Sequence, residues 1–402
     1  MKKTSLILTS ATYLILAIVL QSCKDPIPTV VVTTNRVTGI TTNSAQISGC
    51  LTSAENTVIT ELGLCWNTTP NPEVGDSHVS SSNIGETLCH TLTELQLETV
   101  YHVRAYAFDG LEYYYGEDVE FTTLPKGLFT VAQFDEYHKI RIAKGNLQYQ
   151  ASTNTWRFAE HQWDYIGYSE PDQYGFTYGT VEGSSNHLIS PDYDGWIDLF
   201  GWGTSGQDHG AICYQPWSTS TNDADYYAYG QYYNDLGRQA DWGINPIING
   251  GNQPDLWRTL SIKEWRYLLK ERNTLSGIRY AAAYLNDILG IVIVPDDWDN
   301  TIYPLNATPL ETNNISLETW ELLEENGVVF LPTTGFREGT YASGGYNYGG
   351  YWTSSKITQY GSSEPWAAWN FRTSDALIYF EDSGRHTGLS VRLVQDYPTS
   401  TP

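Results

Sequence analysis

Residues Gly344–Ser355 read GGYNYGGYWTSS, four glycines and four aromatic rings in twelve positions. Such a stretch is either a low-complexity spacer or a tight loop running into a buried strand. The choice decides whether the C-terminal end is filler or a folded head. The residues C-terminal to it favour the head. PWAAWNFRT, ALIYFE and LSVRLVQ are three further runs of strand length, separated by polar or glycine punctuation. YWTSS therefore reads as the first of four strands, and Trp352 is expected in the core. The loop before it, EGTYASGGYNYGG, uses glycine for tight turns and is expected to point Tyr341, Tyr346 and Tyr348 outward.

Upstream of this stretch two helices are signalled. In SIKEWRYLLKER, Ser261 and Glu264 have capping-box spacing, and Ile262, Trp265, Leu268 and Leu269 recur at helical period. In SLETWELLEENG, Ser316 is the candidate cap, Trp320 and Leu323 share a face, and Gly327 supplies the stop. The apolar runs GIVIVPDDW and VVFLPTTGFR come after the first and second helix, and YHKIRIAKGNLQYQ and TWRFAEHQWDYIGY open the region as strands. Strands, two helices, then antiparallel strands whose last returns to the first make an α+β arrangement over residues 128–396. Thirteen of the 14 tryptophans lie here, against Trp66 alone before it, so the two regions build their cores differently.

Residues 29–124 carry short alternating runs: SAQISGCLT, ITELGLCWN, LCHTLTEL, TVYHVRAYAFDG and DVEFTTL. That rhythm is the pattern of an all-β sandwich of about a hundred residues. In VYHVRAYAF, the period of two places Tyr101, Val103, Ala105 and Ala107 on one face and His102, Arg104 and Tyr106 on the other. LPKG at Leu124–Gly127 marks the boundary. At the other end, Lys2 and Lys3 precede an apolar run to Leu20, and LQSC then puts small Ser22 before Cys23.

Bulk composition excludes several classes. A formal charge of -24 repels phosphate backbones and anionic headgroups, so no nucleic-acid partner is expected. The remaining cysteines, Cys50, Cys65, Cys89 and Cys213, form no CxxC pair, and the 8 histidines lack metal-ligand spacing. A disulfide among Cys50, Cys65 and Cys89 and a set of free thiols are both open. GWGTSG at Gly201–Gly206 matches GxGxxG, but no helix former comes after it, so the glycines read as turn residues. No GxSxG elbow, P-loop or HExxH is present, and no catalytic residue is assigned.

Residues 1–23 resemble the bacterial lipoprotein signal with its lipobox. The resemblance implies a signal peptide over 1–22, acylation of Cys23, a tether over 23–28 and membrane contact through the lipid anchor only, at the outer membrane or cell surface. ELGLCWNTTPNP and TVYHVRAYAFDG, with VEFTT, make residues 29–124 similar to the fibronectin type III-like modules of Bacteroidetes surface lipoproteins, which usually serve as spacers. KGNLQYQASTNTWRFAE, DLFGWGTSG, EWRYLL, LPTTGFREGT, GGYWTSS and GLSVRLV resemble the FISUMP paralogous lipoproteins, which are related to the C-type lectin and formylglycine-generating-enzyme folds. The implied architecture is multidomain: an all-β immunoglobulin/fibronectin III-like sandwich followed by an α+β C-type-lectin-like domain. Formylglycine-generating enzymes use a late cysteine pair, whereas no cysteine lies beyond Cys213 here, so that oxidase chemistry is not expected.

Two sets of side chains are singled out for binding. A sugar shows apolar C–H faces and a hydroxyl rim, so its site needs flat rings beside amides, guanidiniums and carboxylates. Tyr360, Trp366, Asn370, Arg372 and Asp375 in QYGSSEPWAAWNFRTSD supply that mix beside Tyr341, Tyr346 and Tyr348, with Trp369 and Phe371 on the opposite face of the strand. Asp296, Asp297 and Asp299 in VPDDWDN are hard oxygen ligands of the kind that suits calcium. The expected function is non-enzymatic adhesion, to carbohydrate or to a protein partner, through loops of the second domain. A structural component of the envelope or of fimbriae is the alternative, and a carbohydrate-active enzyme a further one.

Overall fold

The computed structural model describes residues 30–54, 57–85, 87–133, 136–168, 178–207, 214–226, 236–308, 311–343, 348–355, 368–372, 377–381 and 383–398. The chain divides into two compact units, Met1–Leu124 and Pro125–Pro402, the division falling inside LPKG. Strands hold 38% of the residues and helices 9%, so both units are built mainly of sheet.

The first unit has eight strands: β1 (Val30–Thr34), β2 (Ala45–Ala54), β3 (Glu61–Asn67), β4 (Ser77–Ser81), β5 (Leu88–Leu92), β6 (Val100–Phe108), β7 (Tyr113–Tyr115) and β8 (Val119–Thr122). One sheet runs β1-β2-β5 and the other β4-β3-β6-β7, with β8 also paired to β6. Val30, Val32, Ile47, Leu62, Leu64, Val103, Ala105 and Ala107 form the core that the two sheets share. Tyr101, Val103, Ala105 and Ala107 of β6 all enter that core, as period two requires. The opposite face is not open to water, contrary to simple alternation. The Tyr106 ring lies over Gly63 of β3, and its hydroxyl donates to Glu61 at 2.8 Å. Tyr113 meets the same ring edge-on at 5.7 Å, and Asp118 holds the buried His102 at 3.1 Å. An aromatic and charged layer roofs the strand, so burial loses the alternation that the side-chain types still show. Cys50, Cys65 and Cys89 are free thiols. Burial pushes the Cys65 thiol up to about 11, which keeps it protonated and unreactive at neutral pH.

The second unit continues with β9 (Phe129–Gln133), β10 (Glu136–Ile142), β11 (Leu147–Gln150), β12 (Thr155–Phe158), β13 (Trp196–Ile197), β14 (Arg258–Thr259), α1 (Ile262–Arg266), β15 (Tyr280–Leu285), β16 (Ile288–Ile293), β17 (Asn313–Ile315), α2 (Leu317–Glu325), β18 (Val329–Pro332), β19 (Arg337–Glu338), β20 (Tyr341–Ala342), β21 (Tyr348–Trp352), β22 (Ala368–Arg372), β23 (Leu377–Glu381) and β24 (Leu393–Tyr397). The last strand returns to the start: β24 pairs antiparallel with β10, and the sheet runs β14-β24-β10-β9. Two others run β17-β15-β16-β18 and β21-β22-β23.

Local chemistry fixes the helices where the sequence places them. Ser261 accepts from the Glu264 amide while Glu264 accepts from the Ser261 amide at 2.7 Å, closing a capping box. The helix then widens into a π turn over Tyr267–Glu271, which buries Leu268 and Leu269. Ser316 caps α2 by accepting from the Thr319 amide at 3.1 Å, and Trp320 and Leu323 are its buried residues. Strand β16 explains the unbroken run GIVIVP. Ile291 and Ile293 pack with Phe129, Ile140 and Val394, while Val292 and Val294 pack with Trp298, Trp320 and Phe330. Both faces are covered, so no polar position is needed.

A third core of this unit is the richest in tryptophan. Trp156, Phe200, Trp202, Trp242 and Trp352 cluster with Leu389 and Val391. Trp352 is wholly buried, and its indole N–H donates to the Phe200 carbonyl at 2.6 Å. Trp202 returns the contact by donating to the Thr353 carbonyl at 2.9 Å. The glycine-and-ring stretch thus runs into a buried strand, β21.

Candidate functional site

Two mirrored dipeptides, Gly167–Tyr168 and Tyr178–Gly179, build one edge of the site. Tyr168 donates its amide to the Tyr178 carbonyl at 2.7 Å and accepts from the Tyr178 amide at 3.1 Å. Glycine is required on both sides of this pairing. Gly167 and Gly179 have φ of +53° and +125°, and a Cβ on them would stand 2.4 and 2.1 Å from backbone oxygens of Tyr178 and Ile166. The close approach brings the two tyrosine rings to 4.9 Å.

His187 extends the aromatic surface. It sits in a one-turn 3-10 helix, Asn186–Leu188, capped by Ser185. Its ring lies 4.8 Å from Tyr168 and 6.4 Å from Tyr341, and its Nε2 is 3.2 Å from both the amide and the carbonyl of Ala342. Tyr341 arrives on the hairpin β19–β20 and is 61% exposed. Tyr178, Tyr168, His187 and Tyr341 therefore make one continuous row of rings.

Buried polar groups hold this row in place. Asp198 has no exposed surface; one carboxylate oxygen accepts from the Ile166 amide at 2.9 Å and the other from the Asn186 side-chain amide at 2.9 Å. Asn186 also donates through its backbone and side chain to the Gly167 carbonyl, at 3.0 and 3.1 Å. One carboxylate thus fixes the residue before Gly167 and the residue before His187. Burial pushes the Asp198 carboxyl up to about 6, with the donors from Asn186 and Ile166 pulling it back. Next to it, buried Arg337 donates from Nε to the Leu199 carbonyl at 3.2 Å and from Nη1 to the Gly339 carbonyl at 2.6 Å. That ties the Tyr341 hairpin to the segment that carries Asp198. Burial pushes the Arg337 guanidinium down to about 10, and its Nη2 has no hydrogen-bond partner among the described residues.

Of the residues selected from the sequence, Tyr341 stands in this row. Tyr348 is half-buried, with Phe336 edge-on at 5.8 Å, and packs against the tryptophan core. Asn370 and Arg372 lie on β22, opposite Gly350 and Tyr348 of β21. Cys23, Tyr346, Tyr360, Trp366 and Asp375 lie outside the described residues. Sequence reasoning missed Tyr168, Tyr178, His187 and Asp198; the mirrored GY and YG pairs were the available signal.

Two of the three aspartates of VPDDWDN, Asp296 and Asp299, have hydrogen-bond partners within the protein. Asp296 accepts from Lys139 at 2.6 Å, Arg272 at 2.8 Å and the Thr130 hydroxyl at 2.6 Å. Burial alone would raise its carboxyl, but Lys139 and Arg272 outweigh burial and hold it below the usual range. Asp299 accepts from the Thr301 amide at 2.9 Å, and burial raises the Asp297 carboxyl. Among the described residues, no group of three or more His, Cys, Asp or Glu is placed to hold a metal ion.

No protein-family model matches the chain, and no curated protein matches it. Among solved structures, the sensor domain of the anti-sigma factor RsgI4 of Pseudobacteroides cellulosolvens is similar to part of it. A short form of that domain is 21% identical, over 24% of this chain and 97% of that one, with a TM-score of 0.19. Its solution structure is 20% identical, over 24% and 75%, with a TM-score of 0.19. Scores this low carry no argument.

Proposed function

We propose that this chain is a non-enzymatic cell-envelope lipoprotein, anchored through an acylated Cys23, that binds glycan through the aromatic face of its second unit. The observation that carries the reading is the row Tyr178, Tyr168, His187 and Tyr341 on a buried, hydrogen-bonded base. Flat rings match the C–H face of a pyranose, an imidazole reaches its hydroxyls, and a rigid support lowers the entropy cost of binding. Asp198, the carboxylate beneath the row, is buried and engaged by structural donors, which supports binding over acid–base turnover. In this reading the first unit is a fibronectin III-like spacer, in keeping with its two facing sheets. The second is a C-type-lectin-like FISUMP domain, in keeping with the return of β24 to β10.

The test uses residues 23–402 without lipid on a glycan array, with and without a calcium chelator. Tyr341→Ala and Tyr168→Ala are each expected to weaken the best glycan about three- to tenfold, the worth of one ring contact. Loss of binding with chelator assigns calcium a part. Undiminished binding in both variants overturns the site, and turnover of the bound glycan overturns the non-enzymatic reading. Absence of glycan binding, with one stoichiometric protein neighbour cross-linked on cells, favours an assembly role.

A further inference from the structure

A second feature of the Pro125–Pro402 unit uses none of the residues of the aromatic row. A cleft of about 240 Å³ is lined by β9, β10, the end of α2 and the start of β18. Its charge is unlike that of the chain as a whole. Lys126, Arg141 and Lys144 all line it, in a protein with 22 basic residues against 46 acidic ones. Lys126 donates to the Asn326 side chain at 3.0 Å, and the Arg141 guanidinium lies 5.5 Å over the Tyr397 ring. Lys144 is exposed and makes no hydrogen bond or ion pair among the described residues. Glu324 and Glu325 also line the cleft, and Gln162 fixes Glu324 by donating to it at 2.7 Å. Gln162 is itself pinned, its carbonyl accepting from the Phe330 amide at 2.9 Å.

Backbone geometry brings two of the lining segments into close contact at one end of the cleft. Gly127 and Gly327 line it with φ of +76° and +81°, and a Cβ on Gly327 would stand 2.2 Å from the Gly127 Cα. No other residue type permits that approach.

With Lys126, Arg141 and Lys144 against Glu324 and Glu325, the cleft keeps one positive charge in excess within a strongly acidic chain, and that excess favours a ligand with one anionic group. The two carboxylates repel a bare inorganic anion but accept hydrogen bonds from hydroxyl groups. The ligand that satisfies both is one molecule with a carboxylate and several hydroxyls, of a size that suits one small ring. We propose that this cleft binds a carboxylate-bearing sugar, its acid group on Lys144 and Arg141 and its hydroxyls on Glu324 and Glu325. This site does not depend on the glycan reading of the aromatic row.

The test is calorimetric titration of residues 23–402 with glucuronate, with glucose and inorganic sulfate as comparisons. Glucuronate is expected to bind saturably and to weaken as salt is raised. Lys144→Glu is expected to reduce its affinity at least tenfold, and Lys144→Arg to retain it. An unaltered circular dichroism spectrum and unfolding midpoint show that each variant folds. Glucose or sulfate binding as tightly as glucuronate, undiminished binding by Lys144→Glu, or no glucuronate binding by the folded protein each overturns the proposal.

Discussion

A carboxylate taken out of water must find donors in the protein, and Asp198 has found them on both sides of the aromatic row. Its carboxyl is raised from 3.8 to about 6, so its stabilising contribution is fully present below about pH 4 and is lost as pH rises through about 6. The change is on the order of 3 kcal/mol for a shift of about two units. We expect the stability difference between the wild type and Asp198→Asn to vary across that window and to be flat above it, in chemical denaturation at several pH values. A constant difference from pH 4 to 7 contradicts the assignment. Trp352 makes a different kind of contribution. Trp352→Ala removes a wholly buried ring and leaves the Phe200 carbonyl without its donor, which costs about 3–5 kcal/mol in the same assay. Trp352 was legible in the sequence because the strands after it had no other place for their apolar residues. Asp198 was not, because nothing in a chain with 46 acidic residues marks the one that is buried.

Among the elements, caps and periodicity were readable wherever the deciding contacts are local. Ser261 with Glu264, and Ser316 before LETWELLEE, act within one turn of their helices. Ser316→Ala is expected to cost about 1 kcal/mol, seen as a lower unfolding midpoint. A gain in stability would contradict the cap. Strand β6 shows where reading by period stops. Its core face came from alternation, but the roof over Tyr106 depends on Gly63 and Tyr113, which belong to other strands. The site has the same limit. Tyr341 could be placed on a loop, whereas its neighbours come from segments more than 150 residues earlier and are joined to its hairpin through His187 and Arg337. The acidic run at Asp296 was legible as a cluster of oxygens. Its fate depends on Lys139 and Arg272, which no local spacing reveals.

At the scale of the molecule, two compact units with separate cores are expected to unfold as two events. Calorimetry of residues 23–402 should show Trp352→Ala lowering one transition and leaving the other in place. A single transition displaced as a whole contradicts separate cores. The composition shift was readable, since 13 of 14 tryptophans fall on one side of LPKG. The second unit is proposed to present Tyr341 and its neighbours to a glycan. Hydroxyl-radical footprinting, with the best array ligand at saturation, tests it most directly. Tyr137 and Tyr284, exposed elsewhere on the same unit, serve as internal references. Tyr341 and Tyr168 are expected to become protected while the two reference tyrosines keep their reactivity. Equal reactivity of Tyr341 with and without saturating ligand would contradict it.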